Sequence, residues 1–229
     1  MRLGCEVLRW ALCGKNKISS LPFSLMVPDT ARLILASASP QRQSLLREAG
    51  YEFLIHPADI DEEKYPPELT PAQLAEFLAN AKADAVAMHY PRDVTIGSDT
   101  IVALGEQLLG KPTDAMDARK MLSRLSGTTH LVITGVAVIH PGISVRKSRS
   151  ITSTVQMRSL TADEIDRYVS GGQWRGKAGG YGIQDNDPFV TNLGGSLTNI
   201  IGLPMEAVAE LLSAVGIFPS TNPRDTIRR

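Results

Sequence analysis

The apolar positions of this chain switch between two periods, and the switches outline a mixed α/β domain. Leu33–Ser37 is a short unbroken apolar run and predicts a buried strand. Ser39-Pro40 then opens a helix, with serine as N-cap and proline at the first helical position. Leu45, Leu46 and Ala49 form its buried side and Gly50 ends it. Tyr51–His56 predicts a second strand. Pro71 opens a longer helix in which Leu74, Phe77, Leu78, Ala81 and Ala85 recur at helical spacing, with Lys82 on the flank of that stripe. Val94–Gly97 and Thr100–Leu104 predict a strand in two pieces, turned back at Gly105-Glu106 toward Leu108-Leu109.

Downstream, Asp114 caps a helix that runs to Leu125 and closes at Gly127. His130–His140 and Val145–Met157 predict two long strands around Pro141-Gly142, and Thr161 to Glu164 forms a capping box. Residues 171–187 read as a glycine-rich loop. Pro204 begins a last helix, which Gly216 ends. Strands alternating with helices, plus hairpins, imply an α/β (mixed α+β) domain with a mixed sheet and room for a cleft between two lobes. The expected organisation is a domain over 30–216, an N-terminal extension at 1–25 and a polar tail at 217–229. Glu6 and Arg9 interrupt the apolar stretch of the extension, which argues against a signal peptide, and Met26 is a natural first residue.

Composition narrows the function classes. The 229 residues carry 24 Lys plus Arg against 24 Asp plus Glu, so no large basic footprint for nucleic acid is expected. No apolar run approaches the length of a membrane helix. Cys5 and Cys13 are the only cysteines, and the four histidines show no ligand spacing, so neither a disulfide framework nor a zinc site is expected. A reducing, cytoplasmic setting fits.

The chemistry lies in short polar interruptions of the apolar elements. Ser37 and Ser39 end a strand where a helix begins, and the free N–H groups of a helix N-terminus attract phosphate. Arg42, in its first turn, adds a cation suited to phosphate oxygens. Asp99 breaks an apolar strand in Gly97-Ser98-Asp99-Thr100, as at a bulge or an active-site edge. Lys82, Lys111 and Lys177 add cations for a polyphosphate. Glu62 and Asp99 suit a hard divalent cation. Thr100 and Gln184 suit the edge of a base.

The strings LILASASPQR, NAKA, GSDTIV, LGKP, SGTTHLVITGV, KAGGYGIQ and GSLTNIIGLP occur here in one order. In that order the sequence resembles the Maf family of nucleoside triphosphate pyrophosphatases, from about Leu33 to Leu212. The resemblance implies an elongated mixed sheet of the inosine-triphosphatase type, flanked by helices around a central cleft. It implies hydrolysis of a nucleoside triphosphate to monophosphate and pyrophosphate with a divalent metal, Mg²⁺ or Mn²⁺, in a protein that is often a homodimer. By position, Asp99 matches the proton acceptor. Ser37, Ser39, Arg42, Glu62, Lys82 and Lys111 match polar groups lining the site. Gln41, Thr100 and Gln184 fall on positions linked to base choice.

Thr100 and Gln184 look like the branch acting on dTTP and UTP rather than on 7-methyl-GTP. Three residues depart from the family pattern: Gln41 stands where arginine is usual, Gln173 where glutamate is common, and Asp185 where glycine follows the glutamine. The expected reaction is attack of water on the α-phosphate, with Asp99 orienting the water or accepting its proton late. A non-catalytic nucleotide-binding regulator of cell division is the reading from another class.

Overall fold

The computed structural model describes residues 31–185 and 189–220. The extension at 1–25, and the tail from 221 onward, lie outside the described residues. In chain order the elements are β1 (Leu33–Leu35), α1 (Pro40–Glu48), β2 (Phe53–Ile55), α2 (Pro71–Ala87), β3 (Val94–Leu104), β4 (Gln107–Leu109), α3 (Ala115–Leu125), β5 (Thr129–His140), β6 (Val145–Met157), α4 (Ala162–Gly171), β7 (Val190–Gly194), α5 (Leu197–Ile201) and α6 (Met205–Ser213). Seven strands form one sheet in the order β2-β1-β3-β5-β6-β7, with β4 also paired to β3. The β1–β2 and β1–β3 pairs are parallel and the others antiparallel. The fold is therefore the mixed α/β class expected. No described helix is long and apolar enough to cross a membrane.

Local signals set the helix starts. Ser39 caps α1 by accepting from the Arg42 amide, Asp114 caps α3 by accepting from the Asp117 amide, and both Thr70–Gln73 and Thr161–Glu164 close capping boxes. Two elements, β7 and α5, lie where the sequence pattern predicts none. They are short and carry polar residues, so neither period has room to develop. Residues 217–220 run back past the turn after α1, where the Ser220 amide donates to the Gly50 carbonyl at 2.8 Å.

Two expectations fail, for related reasons. The buried stripe of α2 is Leu74, Ala75, Leu78, Ala79, Lys82, Ala83, Val86 and Ala87, whereas Phe77 is exposed and Ala81 and Ala85 are half-buried. The helix lies so close to the sheet that small residues must face it. A β-carbon on Gly97 would overlap the Ala79 carbonyl, and one on Gly135 would overlap the Ala75 carbonyl. Lys82 thus stands inside the buried stripe, not on its flank.

The second failure is at Asp99. The β3–β5 register runs unbroken from Thr95↔Ile139 to Ala103↔Leu131, so β3 is one strand without a bulge, and Asp99 sits opposite Gly135. The carboxylate is accommodated by a partner instead of by a break in the ladder.

Helix α2 covers one face of the sheet, over Ile101, Ala103 and Ile133 and over Ala137 and Ile139. The other face carries two separate apolar clusters. One joins Leu45 and Leu46 of α1 and Leu211 of α6 to Val94, Ile96 and Val136. The other joins Leu122 of α3, Tyr168 of α4 and Trp174 to Val102 and Val132. Between the two clusters β3 and β5 present Ser98, Thr100 and Thr134.

Candidate active site

The site begins as a gap in the sheet. Strand β1 pairs with β3 over Val94–Ile96, and β4 pairs with it over Val102–Leu104. Gly97–Ile101 therefore have β5 on one side and no strand on the other. Side chains alternate along a strand, so Asp99 faces α2 while Ser98 and Thr100 face the opposite side. Beside this gap lies a cavity of about 440 Å³.

Arg42 fills the place of the missing strand. It is 8% exposed. Its Nε donates to the Gly202 carbonyl at 2.8 Å, Nη1 to the Ser98 carbonyl at 2.8 Å and to Ser37 Oγ at 3.2 Å, and Nη2 to Thr100 Oγ1 at 3.1 Å. A guanidinium has five N–H donors, so one is left for a ligand. Burial pushes its pKa below the ordinary value, against the opposing pull of Asp99 and Glu62. Gly202 was not singled out in the sequence. Its φ of +119° turns its carbonyl to accept from both Arg42 and Ser98 Oγ, and only the glycine of GLP hints at it.

On the α2 side, charges alternate. Lys82 Nζ lies 2.5 Å from Asp99 Oδ1 and 2.9 Å from Glu62 Oε1, and Lys111 Nζ lies 3.3 Å from Glu62 Oε1. Lys82 and Asp99 are buried, at 5% and 4% exposure, and Glu62 and Lys111 are open to solvent. Burial raises the Glu62 pKa, but Lys82 and Lys111 together more than reverse this and leave it below the usual carboxylate range. Two carboxylates converging on one ammonium supply oxygen donors of the kind that a hard divalent cation takes. Among the described residues no cluster of three or more His, Cys, Asp or Glu offers an all-protein cage.

Ser37, Ser39, Glu62, Lys82 and Lys111 line the cavity, and so do Val102, Val132, Tyr181 and Ile200 of the apolar cluster under α3, with Thr100, Gln184, Arg175 and Lys177. Gln41 lies on the wall, its amide oxygen accepting from Ser39 Oγ at 3.1 Å. Ser37, Ser39, Gln41, Arg42, Glu62, Lys82, Thr100, Lys111, Lys177 and Gln184 thus line one cleft, while Asp99 is not part of its wall and lies behind Lys82, which is.

Lys177 also lines the cleft, but its ammonium is engaged by Asp185. Asp185 in addition accepts from the Tyr168 hydroxyl at 2.5 Å and the Gly182 amide at 3.1 Å. Asp185 therefore neutralises Lys177 and ties the loop to α4. The loop aromatics Trp174 and Tyr181 are buried in the apolar cluster under α3.

A family model described as Maf-like protein matches residues 32–215. The chain belongs to the Maf family. A protein from Desulforamulus reducens, named dTTP/UTP pyrophosphatase, is 41% identical over 186 residues, spanning 81% of this chain and 97% of that protein. Proteins of the same name from Pyrococcus furiosus and Caulobacter vibrioides are 41% and 43% identical, over 79% and 82% of this chain and 94% and 97% of theirs. Among solved structures, a nucleoside-triphosphatase / dITP/XTP pyrophosphatase from Mycobacterium abscessus aligns with a TM-score of 0.41 and 15% identity, over 80% of this chain and 94% of that one.

In this Maf-family chain Tyr181 rests on a histidine. His130 Nε2 lies 2.6 Å from the Tyr181 hydroxyl, and burial lowers the His130 pKa to about 4. An unfolded histidine titrates near 6.5. Between those values the unfolded chain holds a proton that the folded one lacks, so stability falls as pH drops from about 6.5 to about 4 and this contribution levels off below. The loss by pH 4.5 is expected to be about 2–3 kcal/mol. Urea unfolding at pH 7 and 4.5 checks it. His130→Gln should remove that part of the acid sensitivity, leaving the share that titrating carboxylates contribute in both proteins.

Proposed function

We propose that this chain is a nucleoside triphosphate pyrophosphatase that converts dTTP and UTP to the monophosphate and pyrophosphate. The observation that carries the reading is the Asp99–Lys82–Glu62–Lys111 row beside a cleft whose remaining wall offers Val102, Val132 and Ile200 together with Thr100, Gln184 and the Asp185-paired Lys177. A triphosphate needs cations and amides, and a base needs apolar walls and a few polar groups. The names of relatives that match nearly end to end support the same substrate pair.

The triphosphate lies along Lys82, Lys111 and the Gln41 amide at the start of α1, with the remaining N–H of Arg42 in reach of the same tail. Phosphate oxygens compete with Asp99 and Glu62 for the Lys82 ammonium, which frees a carboxylate oxygen of Asp99. That oxygen orients a water and accepts its proton as the water oxygen bonds to the α-phosphorus. The bond from the α-phosphorus to the bridging oxygen breaks, and pyrophosphate leaves with the electron pair. Glu62 and Asp99 would hold a divalent cation, Mg²⁺ or Mn²⁺, which would supply charge neutralisation for the phosphate oxygens.

The test is pyrophosphate release by the full chain, with Mg²⁺ or Mn²⁺, from dTTP, UTP, CTP, GTP and 7-methyl-GTP. We expect kcat/KM for dTTP and UTP to exceed that for both purine nucleotides by about tenfold or more. Asp99→Asn should lower kcat by about 10²–10⁴. Absence of pyrophosphate with every nucleotide would favour a binding regulator. A 7-methyl-GTP optimum would move the chain to the other branch. Near-normal turnover by Asp99→Asn would take Asp99 out of the reaction.

A further inference from the structure

A line of hydrogen bonds runs from the cleft at Thr100 into the sheet, and beyond Arg42 the proposed phosphate chemistry does not need it. Arg42 Nη2 donates to Thr100 Oγ1 at 3.1 Å. Thr100 Oγ1 and Thr134 Oγ1 lie 3.0 Å apart, on residues paired across β3 and β5. Thr134 Oγ1 lies 3.1 Å from the Asn199 carbonyl. Thr134 is fully buried, while Thr100 is half-buried and lines the cleft.

The direction of every bond in this line follows from proton count. A hydroxyl has one proton and two lone pairs. The Asn199 carbonyl can only accept, so it takes the proton of Thr134. Thr134 is then an acceptor toward Thr100, and the proton of Thr100 points inward, away from the cleft. The Arg42 guanidinium can only donate, so it occupies one lone pair of Thr100. What Thr100 has left to offer a ligand is a single lone pair.

We infer that Thr134 is a specificity-determining positioning residue: by holding the Thr100 proton inward it makes Thr100 an obligate acceptor, which selects a pyrimidine bearing N3–H over cytosine. The inference rests on the proposed function, in which the pyrimidine lies against the wall that holds Thr100. Uracil and thymine carry a proton on N3, and cytosine carries a lone pair there. Cytosine would set two acceptors against each other in a partly desolvated place, leaving both unsatisfied. Gln184 cannot make this distinction alone, because its amide offers both a donor and an acceptor and can turn to suit either edge. Thr100 cannot turn without breaking its bonds to Arg42 and Thr134. The absolute base preference is thereby assigned to a residue buried one strand away from the ligand.

The experiment measures binding of UMP, CMP and 3-methyl-UMP to the full chain by calorimetry, alongside pyrophosphate release from UTP and CTP. Wild type is expected to bind UMP about tenfold or more tighter than CMP, and 3-methyl-UMP no better than CMP. Thr134→Val removes the acceptor and frees the Thr100 proton, so the UMP-to-CMP ratio should fall to about twofold or less. Thr134→Ser keeps the hydroxyl and should keep the ratio. Equal affinity of wild type for UMP and CMP, tight binding of 3-methyl-UMP, an unchanged ratio in folded Thr134→Val, or a ratio lost in Thr134→Ser would each overturn the inference. If Thr134→Val does not fold, the wild-type and Thr134→Ser measurements decide. Absence of pyrophosphate release with the UMP preference intact would sink the proposed activity and leave the relay standing.

Discussion

Replacing Lys82 with methionine is expected to lower stability by about 3–5 kcal/mol and to abolish pyrophosphate release. The stability loss comes from Asp99. Its carboxylate is 4% exposed, and its Oδ1 lies 2.5 Å from the lysine ammonium. Methionine fills the space of the lysine stem but leaves a charge in a place that solvates it poorly. Glu62 loses the same partner, yet it is open to water and still has Lys111, so it adds little. The double variant Lys82→Met/Asp99→Asn removes the stranded charge and should recover most of the lost stability, since a buried ion pair contributes little net stability over a neutral replacement. It should not recover activity. Denaturant unfolding and pyrophosphate release, measured on the same preparations, separate the two effects. Full stability in the single variant would mean that water reaches Asp99 freely. Activity in either variant would remove Lys82 from triphosphate binding.

Gly135→Ala should cost about 3 kcal/mol, although it adds only one methyl group. Gly135 lies opposite Asp99 in the β3–β5 ladder, and a β-carbon there would run into the backbone of α2 at Ala75 and Glu76. Backbone cannot step aside as a flexible side chain can, so the helix must lift. Lys82 is two turns further along the same helix and must lift with it, away from Asp99. A fall in both melting temperature and kcat/KM is therefore expected. Gly194→Ala is the control, because nothing lies within 4 Å of a β-carbon there, and its effect should stay within about 0.5 kcal/mol. A Gly135→Ala protein as stable as this control would show that the close approach of α2 to the sheet is not needed.

These two predictions concern the places where the sequence pattern misleads. Periodicity weights bulk, so Phe77 looks like part of the buried face of α2 and Lys82 like its flank. The sheet beneath the helix carries Gly97 and Gly135, and over these two glycines Ala75, Ala79 and Ala83 face inward because there is no room for more. Asp99 reads as a break in a strand because an unpaired buried carboxylate is costly. Its partner comes from a helix 17 residues earlier, so no local pattern could supply it. Lys177 reads as one more cation for the substrate, and Asp185 in the same loop engages it.

By itself the sequence determined most of the secondary structure through local rules, β7 and α5 excepted. Side-chain hydroxyls and carboxylates cap their own helices, glycines end them, and apolar runs mark the strands. The set of polar residues able to handle a nucleotide was also legible, because carboxylates, lysines and hydroxyls within apolar elements are out of place unless a ligand or a partner accounts for them. Only the tertiary structure decided where those residues meet and which way their bonds run. The gap between β1 and β4 exists because two strands from different parts of the chain pair with the two ends of β3 and leave its middle free. The direction of the Thr100–Thr134 bond depends on a carbonyl at Asn199, 65 residues further on. Caps and periods act over one or two turns of chain, whereas a cleft and a proton relay are properties of segments brought together by packing.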